Sequence, residues 1–111
     1  MTTRDDLEFI RHCAIRGHVF WSYHANMRLA ERSINSEMVL QSVQRCEIIE
    51  EYPTDFPLPS CLCLGSDPEN HPLHYVIALD KPADTIRIIT AYRPDPGKWR
   101  LDFRTRTEKE L

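Results

Sequence analysis

A histidine and two arginines recur at four-residue intervals in the first third of the chain. They are His24, Arg28 and Arg32, and they lie in the segment YHANMRLAER. An α-helix turns about 100° per residue, so side chains four residues apart drift by only about 40° and form one polar ridge. A histidine transfers protons near neutral pH, and two guanidinium groups can hold a phosphate through forked hydrogen bonds.

RNA cleavage without a metal requires groups of this kind. A base removes the proton of the 2′-hydroxyl, cations stabilise the phosphorane, and an acid protonates the leaving oxygen. The alternative interpretation of the ridge is a solvated helix face on which Glu31 offsets the positive charge, and periodicity by itself favours that interpretation. The spacing leaves both open.

Further candidate residues lie in the second half of the chain. Tyr92 and Arg93 end the last predicted strand and lead into the segment PDPGKWR. Arg93 and Lys98 offer phosphate contacts there, and Trp99 offers a ring for base stacking. Trp99 has the equally good alternative of anchoring the C-terminal segment to the core. His74 begins a strand, where substrate binding is the functional interpretation and a structural role is the alternative.

The cysteines and histidines of the middle segment also invite a zinc interpretation. Cys61 and Cys63 are followed by His71 and His74. However, one residue between the cysteines is fewer than the usual two to four, and no turn surrounds them. With three glycines in the whole chain, there is also no glycine-rich phosphate loop. We therefore expect no metal site and no cofactor.

The distribution of proline separates helices from strands. All eight prolines lie between Pro53 and Pro96, and proline breaks helices, so the helices belong to the first half and the strands to the second. The predicted helices are Thr3–Arg16, with Thr3 as N-cap and Gly17 at its end, Tyr23–Ile34, and Glu37–Cys46, capped by Asn35 or Ser36. The predicted strands are Glu47–Tyr52, Ser60–Leu64, Leu73–Leu79 and Thr85–Tyr92, and His18–Trp21 is a short extended link.

Consecutive strands joined by short loops pair antiparallel. The order of elements therefore predicts an α+β fold, in which two to three N-terminal helices pack on one face of a roughly four-stranded antiparallel sheet. The 111 residues are the size of one domain. We expect a single domain over residues 1–111, with helices at about 3–46, the sheet at about 47–92 and a C-terminal tail at 93–111.

Periodicity also predicts which side chains face each other. In the second helix one narrow apolar stripe consists of Tyr23, Met27, Ala30 and Ile34. In the last strand, strict alternation places Ile86, Ile88 and Tyr92 on one side and Arg87, Ile89, Ala91 and Arg93 on the other.

Composition indicates a folded domain, with 41% hydrophobic and 28% charged residues. The longest uncharged apolar run, Tyr75 to Leu79, is far below the ~18 residues of a membrane span. The N-terminal MTTRDDLEF is acidic where a signal peptide is basic. Four sparse cysteines among apolar neighbours are typical of reduced, buried thiols. We expect a cytoplasmic protein without membrane association.

The charge is distributed unevenly along the chain. The net charge is −3, but residues 1–46 carry +1, residues 47–84 carry −7 and residues 85–111 carry +3. An acidic chain is unlike a general polyanion binder. If its two ends fold together, they form a locally positive face that can steer an anionic ligand. The alternative is an ordinary mixed surface.

The chain resembles the domain-of-unknown-function 4258 family of small bacterial proteins, some of them cyanobacterial. The resemblance runs over roughly residues 18 to 100. It is carried by YHANMRLAERSINSEMVLQSV, EIIEEYP, PLHYVIALD and TIRIITAYRPDPGKW. That family is often placed with the RelE-like and BrnT-like toxins, which are small α+β ribonucleases.

The resemblance implies roles for particular residues. His24, Arg28 and Arg32 match the polar residues that mark the family, Tyr92 matches the end of its last strand, and His74 matches a frequent position. RelE-like toxins are basic, whereas this chain is acidic, and their catalytic residues vary between subfamilies. The fold therefore carries over better than the activity.

Two functional hypotheses follow. In the first, the chain is a metal-independent endoribonuclease of the toxin–antitoxin type, acting on RNA alone or at the ribosome and partnered by a cognate antitoxin. His24 is then the acid or base, Arg28 and Arg32 hold the scissile phosphate, and Tyr92 with Arg93 supports the site. In the second, the chain is a non-catalytic binding or regulatory module on the same fold, which the acidic middle segment suits. The sequence leaves the oligomeric state open.

Overall fold

The computed structural model describes residues 3–107, with side chains from Asp5 onward. Its helices are α1 (Thr3–Arg16), α2 (Tyr23–Glu31) and α3 (Ser36–Val43), and its strands are β1 (Val19–Trp21), β2 (Glu47–Tyr52), β3 (Ser60–Ser66), β4 (Pro72–Asp80) and β5 (Thr85–Tyr92). The strands form one sheet in the order β1-β5-β4-β3-β2. The α+β fold predicted from the order of helices and strands is confirmed.

Local chemistry sets the helix ends. The α1 helix stops where Gly17 adopts a φ of 78°, a left-handed conformation that glycine accepts without steric cost. The N-caps of α2 and α3 are Ser22 and Asn35, whose side-chain oxygens accept backbone N–H bonds of the first turn. The predicted N-cap of α1, Thr3, is instead its first helical residue, and its side chain lies outside the described part of the chain.

The sheet has one strand more than the sequence predicts. The segment predicted as an extended link, His18–Trp21, contains β1. This strand pairs in parallel with β5, with Val19 opposite Ile86 and Trp21 opposite Ile88. Three residues after a helix are too few for a strand pattern to be visible. The neighbouring β5 supplies the hydrogen bonds that define β1, and the sheet is mixed rather than wholly antiparallel.

Two bulges decide which side chains share a face of the sheet. In β5 the partner of Val76 is Thr90 and the partner of Ile77 is Ile88, so Ile89 is an extra residue. A single extra residue reverses the alternation beyond it. The prediction that Tyr92 shares a side with Ile86 and Ile88 is therefore wrong. Ala91 takes that side and is buried in the core, while Tyr92 pairs with His74 on the other face.

The second bulge lies in β2. Ile48 pairs with Cys63 and Glu50 pairs with Leu62, which leaves Ile49 as the extra residue. Glu47 pairs with Leu64. Because Leu62 and Leu64 are two residues apart on one strand, they share a face, and Glu47 and Glu50 therefore share it as well.

The helices cover one face of the sheet. The buried core unites α1, α2 and α3 with one side of β3, β4 and β5, and its sheet members are Cys61, Cys63, Leu73, Tyr75, Ile77, Leu79, Ile86, Ile88 and Ala91. We call the opposite side, which carries Leu62, His74, Val76, Ala78 and Tyr92, the open face. Residues 97–107, here called the C-terminal segment, cross part of it.

Of the stripe predicted for the second helix only Ile34 is buried, and it lies beyond Glu31, where α2 ends three residues earlier than predicted. Tyr23 is 80% exposed and Met27 is 45% exposed, whereas the buried residues of α2 are Ala25 and Leu29. The small side chain of Ala25 and the branched one of Leu29 lie four residues apart and pack where α2 meets β5. The large apolar side chains of Tyr23 and Met27 therefore lie on the exposed side of α2.

Gly65 makes room for a buried hydrogen bond. The Ser42 hydroxyl of α3 and the Tyr75 hydroxyl of β4 lie 2.6 Å apart in the core. A Cβ atom on Gly65 would lie 1.9 Å from Ser42 Oγ and 2.3 Å from the Tyr75 hydroxyl oxygen. This glycine is required for a close approach between α3 and the sheet.

We therefore predict that Gly65→Ala destabilises the protein. The added methyl must separate Ser42 from Tyr75, which costs about 2 kcal/mol or more in overpacking and lost hydrogen bonding and lowers Tm by roughly 8 °C. Calorimetry measures this, with Gly97→Ala as the matched control because its Cβ would meet only the Asp95 side chain. Equal Tm values for the two variants would contradict the prediction.

Candidate functional site

The predicted ridge is present on α2, and its first two members touch. Arg28 Nε lies 3.4 Å from His24 Nε2. Because a guanidinium can only donate, the histidine nitrogen is the acceptor in this contact and carries no proton there. Arg28 also binds Glu31 at 3.0 Å on the same helix. His24 is solvent-exposed, and Arg28 orients its ring.

Arg32 leaves the helix surface and reaches the sheet. Its Nη1 donates to the Ala91 carbonyl oxygen at 2.8 Å and lies 3.4 Å from the Thr90 hydroxyl. Since β1 ends opposite Ile88, the last residues of β5 lack a strand neighbour on that side of the described sheet. The end of α2 is thereby fastened to the end of β5, next to Tyr92.

His74 lies under the C-terminal segment on the open face. Its ring is fully buried, with its centroid 5.6 Å from that of Tyr92 and 4.5 Å from that of Trp99. His74 Nε2 lies 2.8 Å from the Phe103 carbonyl oxygen, which can only accept, so Nε2 carries a proton. Nδ1 is buried and has no partner among the described residues.

Electrostatics keep His74 neutral at pH 7. Burial lowers its pKa, and Arg106 acts in the same direction, whereas the Phe103 carbonyl and Glu50 oppose the shift. A neutral imidazole protonated at Nε2 leaves a lone pair on Nδ1. His74 therefore presents an unused acceptor inside the protein.

Tyr92 packs against the buried histidine and lies within electrostatic reach of Arg32, the last residue of the ridge. Burial raises the pKa of its hydroxyl, Glu50 raises it further, and Arg106 and Arg32 lower it. One phenol is thus within electrostatic reach of charged groups from α2, β2 and the C-terminal segment. The structure brings Arg32, Tyr92 and His74 together from three elements.

The remaining predicted residues of the C-terminal end lie in different surroundings. Trp99 is only 5% exposed, and the Arg106 guanidinium lies over its ring at 4.6 Å. It packs against His74 and anchors the C-terminal segment, while Lys98 is exposed.

Arg93 lies in an ion pair. Its Nη1 is 2.9 Å from Asp67 Oδ2, and Asp67 also accepts the backbone N–H groups of Glu69 and His71. Burial would raise the pKa of Asp67, but the His71 N–H, the Arg93 guanidinium and the Glu69 N–H outweigh it and lower that pKa to about 2. Arg93 and Asp67 therefore fasten the β3–β4 turn to the end of β5.

The same turn holds the one metal-capable grouping found among the described residues. Asp67, Glu69 and His71 place one ligand atom each within 4.8 Å of the others. Arg93 already neutralises Asp67, and the other two side chains are exposed. The four residues considered for zinc are not brought together, because Cys61 and Cys63 face the helices while His74 is on the open face.

Glu50 and Arg106 also belong to this part of the structure, but they were not predicted from the sequence. Arg106 forms a two-bond ion pair with Glu50, at 2.8 and 3.0 Å, and the Tyr52 hydroxyl donates to the same carboxylate. The Arg106 hydrogen bond lowers the pKa of Glu50. The only signal in the sequence was the acidic middle segment followed by a basic C-terminal one, which indicates pairing without identifying the partners.

The comparisons with known proteins identify the family of the chain and leave its activity open. A domain of unknown function, DUF4258, matches residues 21–93, which is more than half of the chain. The chain therefore belongs to the DUF4258 family. No curated protein and no solved structure matches it. No described helix is long and apolar enough to span a bilayer.

The Asp67 environment predicts a specific acid sensitivity. Its pKa is about 2 in the folded chain and about 3.9 when unfolded, so its contribution to stability is present above pH 4 and is lost as the pH falls towards 2. We expect Asp67→Asn to be less stable than wild type at pH 7 and to lose less stability between pH 4 and pH 2. Urea unfolding at each pH measures this difference, with exposed Asp95→Asn as the control. Parallel pH profiles for wild type and Asp67→Asn would contradict it.

Proposed function

We propose that the chain is a metal-independent endoribonuclease that cleaves RNA at the surface between α2 and the end of β5. His24 acts as the general base or acid, Arg28 and Arg32 hold the scissile phosphate, and Tyr92 supports the site. The main support is the bond from Arg32 to the Ala91 carbonyl at 2.8 Å, because it fastens the end of the ridge to the end of β5, within electrostatic reach of the Tyr92 hydroxyl.

The protonation states suit this chemistry. His24 Nε2 accepts a hydrogen bond from Arg28, so its lone pair becomes free to take the proton of a 2′-hydroxyl when a bound phosphate draws Arg28 away. The guanidinium groups stay charged at any relevant pH and can stabilise the phosphorane. A raised pKa keeps the Tyr92 hydroxyl protonated, and it can therefore donate a hydrogen bond to a phosphate oxygen. The proposal includes a cytoplasmic location, which the four buried, free cysteines support, and a cognate antitoxin or the ribosome as partner.

A second candidate is a non-catalytic binding module on the same fold. It is favoured by the pairing of both ridge arginines within the chain. Arg28 binds Glu31 at 3.0 Å, and Arg32 binds a backbone carbonyl. A phosphate must compete with both contacts before it is held.

Cleavage of single-stranded RNA in excess EDTA distinguishes the two candidates. We expect wild type to produce ends with a 2′,3′-cyclic phosphate, because the 2′-hydroxyl is the nucleophile, and we expect a fully 2′-deoxy substrate to remain intact. His24→Ala should lower the rate by about 100-fold or more, the usual contribution of an acid–base group. His24 is exposed, so the variant should keep its fold, which circular dichroism verifies.

His12→Ala is the matched control, because it removes another exposed histidine, one that pairs with Asp84 away from the ridge. We expect this variant to cleave at the wild-type rate. Equal rates for His24→Ala and wild type would refute the assignment of His24. Wild type that cleaves neither free RNA nor ribosome-bound mRNA would make the binding module the leading function.

A further inference from the structure

We propose that the open face of the sheet is a docking surface for a basic hairpin segment of a partner protein, and that the chain's own C-terminal segment occupies this surface in the partner's absence. The proposed surface shares Tyr92 with the proposed ribonuclease site but does not include the ridge, and the proposal does not depend on ribonuclease activity. It rests on the charge pattern of β2, the way the C-terminal segment is held, and the unpartnered nitrogen of His74.

The spacing of charges on β2 fits one arm of a basic hairpin. The bulge at Ile49 places Glu47 and Glu50 on the open face, opposite Leu64 and Leu62. The two carboxylates are therefore spaced to match side chains two residues apart on a segment that lies alongside β2. Arg104 and Arg106, also two residues apart, meet them, with Arg104 binding Glu47 at 2.6 and 2.8 Å.

An aromatic anchor accompanies the two arginines. Trp99 packs edge-on against His74. Its backbone forms an isolated antiparallel β-bridge with Arg106. Trp99 and Arg106 lie on opposite arms of a tight turn, in which the Arg100 N–H donates to the Thr105 carbonyl oxygen at 2.7 Å. The surface therefore recognises a hairpin segment with a large aromatic ring on one arm and alternating basic residues on the other. Such recognition, with charge pairs at the rim and a buried ring at the centre, is typical of protein interfaces.

The contacts that hold the C-terminal segment are ones a competitor can replace. The side chains of Arg104 and Arg106 are 50% and 53% exposed, and those of Glu47 and Glu50 are 46% and 25% exposed, so basic groups of a partner can reach both ion pairs from solvent. Beneath the segment, the buried Nδ1 of His74 has no partner among the described residues. Buried polar atoms are normally hydrogen-bonded, so this acceptor indicates that the segment is an imperfect occupant.

The surface also extends beyond the part that the segment covers. A groove of about 230 Å³ continues along the open face, with Val76, Ala78 and Ile89 on the sheet and Phe56 and Leu58 on the β2–β3 loop among its lining residues. A longer segment can therefore bury more apolar surface than the chain's own one does. The carboxylates of β2 repel phosphates, so the surface favours a protein partner over RNA.

The test uses the full-length chain and a labelled peptide, GKWRLDFRTRT, which copies residues 97–107. The variant Arg104→Glu/Arg106→Glu should release the C-terminal segment and bind the peptide about ten-fold more tightly than wild type does, measured by fluorescence anisotropy. The matched control is Lys98→Glu/Arg100→Glu. It changes the net charge equally at exposed residues that make no ion pair in the described part of the chain. We expect this control to bind the peptide as weakly as wild type.

Three further comparisons make the result decisive. Adding Glu47→Gln/Glu50→Gln to the Arg104→Glu/Arg106→Glu variant, here called the released variant, should abolish its gain in peptide affinity. A scrambled peptide should bind the released variant weakly. Equal peptide affinity for the released and control variants would overturn the proposal, as would preferential binding of a single-stranded RNA by the released variant. If the charge reversal unfolds the chain, Arg104→Gln/Arg106→Gln replaces it with the same expectation.

Discussion

Alternation of side chains along a strand is the constraint on which the rest of this structure depends. One extra residue at Ile89 turns Ala91 towards the helices and Tyr92 towards the open face, and one at Ile49 places Glu47 and Glu50 on that same face. Without these bulges, the residues beyond them would exchange sides. Both surfaces that carry chemistry, the end of β5 and the strip along β2, exist because the two bulges are there.

Ion pairing explains how an acidic chain carries so many basic residues without a broad positive surface. The acidic middle of the chain pairs with its basic end, through Asp67 with Arg93, Glu47 with Arg104 and Glu50 with Arg106. These contacts join parts of the chain far apart in sequence and bring the C-terminal segment over His74. The positive charges of the ridge therefore receive no support from Arg93, Arg104 and Arg106.

Much of the fold could be predicted from local patterns. The bounds of α1, β2 and β5 follow from helix caps, strand propensity and the positions of proline, and they agree with the structure. The β1 strand could not be predicted, because three residues carry no period and their pairing depends on β5. The bulge in β5 had a signal in the sequence, because the consecutive Ile88 and Ile89 interrupt the alternation of apolar and polar residues. The effect of this bulge on the side of Tyr92 could not be predicted, because it depends on the register between β5 and β4.

The candidate site was predictable only in part. The ridge from His24 to Arg32 follows from helical spacing, and the placement of Tyr92 at a strand end follows from the strand prediction. The burial of His74 and the contacts of Glu50 depend on the path of the C-terminal segment, which has no regular period. Long-range ion pairs are visible in the sequence as opposite charges but not as partners.

The most direct test of this account is a nuclear Overhauser measurement on the His74 ring in the full-length chain. If the bulge at Ile89 orients Tyr92 as described, the His74 ring protons will show cross-peaks to the rings of both Tyr92 and Trp99, whose centroids lie 5.6 and 4.5 Å away. If the Tyr92 ring instead shows cross-peaks to the methyl groups of Ile86 and Ile88, strict alternation holds along β5. The arrangement of the open face would then be refuted.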